Sequence, residues 1–171
     1  MIYTIGHSTH TAEAFLGLLH LHQIAQVADI RTVPRSRRHP QFGSEALESF
    51  LRLHGIAYRH FPELGGLRKP RPDSINTAWR VAGFRGYADH MATPAFRAGV
   101  ETLLHFADAD HTTVMCAESL WWQCHRRLLA DALVVQGVAV YHILPSGPPK
   151  AHELSEFARI SNGSVIYPGL L

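Results

Sequence analysis

Lysine is nearly absent from this chain: two residues of 171, against fourteen arginines. Cysteine is almost as scarce, also two. The opening MIYTIGHSTHTAEAF has no basic stretch ahead of an apolar run, so no secretory signal is expected. Two cysteines without an export signal point to free thiols and a cytoplasmic location. No uncharged apolar run reaches bilayer length, which argues against a helical membrane span. Internal repeats and low-complexity segments are missing too. A net charge of only +2 argues against a general nucleic-acid coat. With ordinary apolar and charged fractions, the chain is expected to be one domain over residues 1–171 with a sizeable core.

What is present is clustered arginine. Arg31, Arg35, Arg37 and Arg38 share one loop, and Arg68, Lys69 and Arg71 form a second group. Arginine holds phosphates and carboxylates bidentately, so the clusters suit an anionic ligand. A solvated basic surface explains them equally well.

Hydrophobic patterning alternates strand-like and helix-like segments. Strands are expected at Ile2 to Ile5, Ile24 to Ile30, Ile56 to His60, Thr112 to Met115 and Val138 to Leu144, with a last one at Ser164 to Tyr167. Helices are expected after Thr11, around Ala46 to His54, over Gly86 to Met91, from Pro94 to about Ala107, from Leu120 to Gln136 behind Ser119 as N-cap, and near His152 to Ala158. Residues 61–82 read as a long irregular loop, functional or mobile. Repeated βαβ units imply a three-layer, Rossmann-like or rhodanese-like α/β fold: a mainly parallel sheet of about five strands with helices on both faces. Ligands of such sheets bind beyond the strand C-termini. His7 and Ser8, Asp29 and Arg31, Tyr58 and His60, Cys116 and Glu118, and His142 should all fall along that one edge.

Each candidate has a plain alternative. Cys116 is a thiolate or metal ligand near a helix start, or a small buried hydrophobe. Cys124 shares a stripe with Trp121, Leu128, Ala132 and Val135, so core packing is expected, with a supporting thiol as the alternative. Glu118 is a general base or a structural partner of Arg31 or Arg35. His7 takes a proton and Ser8 contacts substrate, or both simply cap a turn after Gly6. Asp29 fixes a loop. Arg31, Arg35 and Arg68 are the anion-binding choices, and Arg126 joins them or faces solvent. Trp122 offers a stacking face for a base. No cofactor is expected; a metal held by Cys116, Cys124 and His125 is the minority alternative, because the cysteine spacing matches no C-x2-C pattern.

In order along the chain, TIGHS (Thr4 to Ser8), DIRTVPRS (Asp29 to Ser36), Phe42, Tyr58 and His60, LGGLR (Leu64 to Arg68), FRGYADHM (Phe84 to Met91), MCAE (Met115 to Glu118) and CHR (Cys124 to Arg126) resemble the DUF488 family. That resemblance implies an α/β fold with one shared site and supplies no reaction. A weaker likeness is to rhodanese-type sulfurtransferases, through Asp29-Ile30-Arg31 and Cys116; it implies Cys116 as a persulfide carrier. Their short loop back to Arg or Ser is replaced here by AESLWWQ and a second Cys. The Cys, five residues, Arg pattern of phosphatases fails, since Trp122 stands where the Arg belongs.

The expectation is a cytoplasmic enzyme of unassigned reaction on an anionic, nucleotide-like or nucleic-acid ligand. Cys116, Glu118 and His7 are its reactive groups, and Ser8, Asp29, Arg31, Arg35, Tyr58, Arg68, Trp122, Cys124, His125 and Arg126 line the substrate. The alternatives are a sulfurtransferase and a non-catalytic nucleotide or single-strand binding module.

Overall fold

Side-chain alternation along the strands sets the layers. The structure, a computed structural model, describes residues 1–169; positions 170 and 171 of the expected domain lie outside the described residues. Strands β1 (Ile2–Gly6), β2 (Gln26–Asp29), β3 (Ala57–His60), β4 (Thr112–Cys116) and β5 (Val140–His142) run parallel in the order β3-β2-β4-β1-β5. A sixth strand, β6 (Lys150–Ala151), adds antiparallel to β5, one more than expected. Ile5, Val27 and Met115 pack on one face with Phe15 and Leu19 of helix α1 (Ala12–Leu21) and Leu47 and Leu51 of α2 (Ser44–Leu53). Their neighbours Ala28, Val114 and Cys116 pack oppositely, in a core with Tyr87 of α3 (Ala82–Met91), Val100 of α4 (Pro94–Ala107) and Leu128 of α5 (Arg126–Val135). This is the expected α/β fold.

The strand order explains which helix covers which face. From β1 the chain steps through β2 to β3 in one direction, then returns through β4 to β5 in the other. Right-handed crossovers then put α1 and α2 on one face and the later helices on the other. The adjacent C-termini of β1 and β4 send their chains to opposite faces, and a crevice opens there. Register aligns the edge: Gly6 pairs with Cys116, and Asp29 with both Met115 and His60. His142 does not join it. It pairs with Thr4, short of the edge, and its ring stacks under Trp121 with centroids 4.0 Å apart.

Several local signals hold. Thr11 caps α1 through Ala14, Thr93 caps α4 behind Pro94, and Gly55 (φ 72°) ends α2. Three expectations do not. The helix expected from Leu120 begins only at Arg126, after a 3₁₀ turn at Trp121–Gln123, and Ser119 caps nothing. The Arg126 guanidinium claims the carbonyls of Glu118 and Ser119, folding the loop back, while Trp121 docks on His142. The helix near His152 to Ala158 is absent, because Asp131 draws in that segment's polar groups. Its carboxylate accepts from His152 Nε2 (2.8 Å), Ser155 N (3.0 Å), Ser155 Oγ (2.7 Å) and Tyr167 Oη (2.8 Å). Beyond it lies a hairpin, β7 (Arg159–Ser161) and β8 (Ser164–Ile166), turning at Asn162-Gly163 with both φ angles positive. Residues 61–82 form the expected irregular loop, tethered where Asp89 accepts from Arg71 N, Ser74 Oγ and Asn76 Nδ2. Among the described residues no helix is long and apolar enough to cross a membrane.

With both imidazoles neutral, the chain Thr4, His142, His152, Asp131 has one consistent proton order. Asp131 accepts from His152 Nε2, so His152 Nδ1 accepts from His142 Nε2, and His142 Nδ1 accepts from Thr4 Oγ1. Burial, then the neighbouring His152 and Arg126, lowers His142 to about 3. The unfolded chain therefore takes up a proton near pH 6.5 that the folded one refuses. Stability is full above pH 6.5 and falls on acidification, by up to about 1.4 kcal/mol per pH unit per group. Urea melts between pH 7.5 and 5 should show this slope, and His142→Asn, less stable throughout, should flatten it. An unchanged slope in that variant would refute the assignment.

Candidate functional site

Three glycines make room for the crevice. A Cβ on Gly6 would overlap the Glu118 carbonyl, so the loop after β4 can cross the end of β1 only over glycine. That contact continues the pairing, with His7 N donating to Cys116 O and Ser8 N to Ala117 O. A Cβ on Gly66 would overlap the His125 ring, and one on Gly65 would overlap Thr32. TIGHS and LGGLR are thus fitted against the MCAE and CHR stretches.

At the head of the crevice three donor atoms converge. Nδ1 of His125 lies 3.6 Å from Cys124 Sγ and 3.9 Å from Cys116 Sγ, all within 4.8 Å of one another. His125 Nε2 is 3.1 Å from the Ile30 carbonyl, which only accepts, so Nε2 carries the hydrogen. In the neutral ring the Nδ1 lone pair then faces both sulfurs.

Arg126 stands behind them, fully buried. Its backbone N–H and Nε donate to Cys124 Sγ at 3.5 and 3.4 Å, Nη2 donates to the Glu118 and Ser119 carbonyls, and Nη1 has no partner. No carboxylate among the described residues pairs with it. A guanidinium does not lose its charge, and a buried one needs a counter-ion. The acidic group it touches is the Cys124 thiol. Burial pushes that thiol up, but the nearby Cys116 sulfur and the Arg126 charge outweigh burial and hold Cys124 well below the ordinary thiol range. The same nearness of the two thiols, then burial, pushes Cys116 well up. The two N–H donors of Arg126 thus favour negative charge on the Cys124 sulfur, beside the Cys116 thiol that the sequence singled out. Cys124 precedes α5 and so is not on the expected helical stripe, but it does pack in the core with Leu128 and Ala132, as expected.

Two clefts meet here. The first, of about 370 Å³, is lined by Cys116, Cys124, His125, Gly66 and the apolar Val33, Leu67, Val81 and Phe84. The second, of about 590 Å³, is lined by His7, Ser8, Arg35, Arg37, Arg38, His39 and Ser119. Arg31, Val33 and Glu118 line both. Glu118 is exposed and its carboxylate has no partner among the described residues, so the expected pairing with Arg31 or Arg35 is not formed. Arg31 is instead clamped by Asp29, through Nε at 2.9 Å and Nη2 at 2.5 Å, and donates to Phe42 O. Tyr58 Oη also donates to Asp29, at 2.7 Å. Asp29 and Tyr58 therefore hold Arg31 from behind. His7 donates from Nδ1 to Ser8 O, accepts from Arg31 Nη1 at 3.3 Å and stacks on Phe42. Burial lowers it to about 4, so it stays neutral with its lone pair engaged.

Other expected residues stand elsewhere. Arg68 is spent on the carbonyls of Gly65, Pro62 and Glu63, and fastens the LGGLR turn instead of binding an anion. Arg126 neither faces solvent nor reaches a cleft. Trp122 is exposed and lines neither cleft. Arg37 and Arg38 were read only as members of the arginine-rich loop, not among the individual anion-binding choices, and Gly66 only as part of the LGGLR motif.

Gly66→Ala should displace the His125 ring and cost about 1–3 kcal/mol. Gly17→Ala, in open space within α1, should stabilise by about 0.5–1 kcal/mol. Thermal melts compare the two, and a Gly66→Ala protein as stable as wild type would refute the close fit.

No curated protein and no solved structure matches the chain. A family model does, over residues 11–133, described as a domain of unknown function, DUF488. That span carries the cysteines, the imidazole, the buried arginine and the arginine-rich loop, and the chain belongs to the DUF488 family.

Proposed function

We propose that this protein is a cytoplasmic enzyme whose reactive centre is the Cys116–Cys124–His125 cluster, acting on an anionic, nucleotide-like substrate. The observation that carries the proposal is the convergence of two sulfurs and an imidazole at the head of an apolar cleft that runs into an arginine-lined one. A planar or apolar group would sit against Val33, Leu67 and Phe84, and its phosphate or carboxylate would meet Arg35, Arg37 and Arg38. Cys124 supplies the activated sulfur, with Arg126 stabilising its charge. Glu118, at the junction of the clefts, is placed to accept or return a proton. His7 and Asp29 are positioning residues that act through Arg31. The paired free thiols fit a reducing compartment.

Thermal-shift screening with nucleotides, sugar phosphates and carboxylates should find a class that raises Tm with concentration. The combined Arg35→Gln, Arg37→Gln, Arg38→Gln variant should lose that shift. On the ligands so found, Cys124→Ser should lower turnover by about 100-fold or more while leaving binding in place. Turnover that survives both Cys124→Ser and Glu118→Gln would overturn the proposal.

A sulfurtransferase is the second reading, favoured by the closeness of the two sulfurs, across which a persulfide could pass. Thiocyanate formed from thiosulfate and cyanide, with a sulfur adduct on Cys124, would select it; neither product would discard it. If the arginine loop only grips nucleic acid, single-strand affinity should fall steeply with salt and no turnover should be found.

A further inference from the structure

The geometry points to a site for a zinc-class divalent cation made by Cys116 Sγ, Cys124 Sγ and His125 Nδ1, with its fourth position open to the apolar cleft. The inference rests on the cluster being the reactive centre and names what the cluster holds.

Distances agree first. Zinc bonds of about 2.3 Å to sulfur and 2.0–2.1 Å to nitrogen, at tetrahedral angles, place sulfur and nitrogen about 3.6 Å apart. The two observed separations are 3.6 and 3.9 Å. The two sulfurs, within 4.8 Å of each other, would stand about 3.8 Å apart on such an ion, so side-chain shifts of up to about 1 Å would close the site.

The outer contacts agree as well. A metal-binding histidine normally donates its other ring N–H to a carbonyl or carboxylate, which fixes the tautomer. His125 does this through Nε2 to the Ile30 carbonyl at the end of β2. Gly66 leaves the space that holds the ring there. Cys124 in turn receives two N–H groups from Arg126, an outer shell of the kind that orients a ligating thiolate. Two sulfurs and an imidazole select zinc, cobalt or iron over magnesium or calcium, which need oxygen.

Charge then specifies the fourth ligand. A divalent ion balances two thiolates, the protons they carried passing to solvent, and the buried Arg126 charge is left over. An anion at the open position neutralises it. Hydroxide derived from water, the Glu118 carboxylate or an anionic substrate atom would serve, and all three have access from the cleft that Glu118 lines.

The test uses the full chain, stripped with a chelator under a non-coordinating reductant and titrated with cobalt(II). One equivalent should produce a thiolate-to-cobalt charge-transfer band and the visible bands of tetrahedral cobalt, displaced by zinc(II) and unaffected by magnesium. Cys116→Ser, Cys124→Ser and His125→Ala should each weaken binding by about tenfold or more. His125→Cys and Cys124→His, which keep a donor, should still bind with a shifted spectrum, so a variant that merely misfolds is recognised. No stoichiometric charge-transfer band in wild type, or one unchanged in Cys124→Ser, overturns the site. If cobalt fails to bind while Cys124→Ser still abolishes turnover, the metal is wrong and the reactive-centre reading stands. If cobalt binds but turnover ignores both chelator and Cys124→Ser, the metal stands and the reactive-centre reading falls.

Discussion

A charge that water cannot reach sets the terms for the β4–α5 connection. Arg126 is completely buried, cannot neutralise itself and has no carboxylate partner among the described residues. Its demands are met in part by the Glu118 and Ser119 carbonyls and by the sulfur of Cys124, and Nη1 is left without a partner. Meeting them folds the segment between Cys116 and His125 back on itself and delays the helix. It also brings a sulfur eight residues along the chain beside the one that ends β4.

Around this point the molecule uses other groups to hold surfaces at fixed separations. Gly6 lets the loop cross the end of β1, and Gly66 lets the His125 ring stand against the LGGLR turn. Asp29, backed by Tyr58, fixes Arg31 on the wall between the clefts. On the far side of α5, Asp131 gathers His152, Ser155 and Tyr167, so the C-terminal segment braces the helix that presents His125 and Arg126. The cleft walls are therefore built from secured pieces, and residues 61–82 take part through Asp89.

Much of this was legible before any coordinates. The runs between helical patterns located the five parallel strands within a residue or two, because the central strands β2 and β4 are buried at every position and leave short apolar stretches in the chain. Thr11, Thr93, Pro94 and Gly55 act where their own chemistry puts them. The gathering of His7, Asp29, Arg31 and Cys116 at one edge follows from parallel strands alone. Asn162-Gly163 was an available hairpin signal, since positive φ at two successive residues favours that pair, yet only one strand was read there. The expected helix at His152 to Ala158 failed because Asp131, more than twenty residues away, outbids local helix propensity.

The roles inside the site divide along the same line. Composition and spacing were enough to settle the α/β class and the edge where the motif residues gather, since these depend on contacts between near neighbours and on strand direction. Which sulfur Arg126 touches, that Arg126 turns inward, that Arg68 fastens a turn and that His125 faces both thiols were decided by the tertiary structure. Each depends on desolvation and on partners distant in the chain: the Ile30 carbonyl behind His125, the Gly66 backbone against its ring and the missing carboxylate around Arg126. A side chain's burial and its counter-ion are properties of the assembled interior, and no local pattern encodes them.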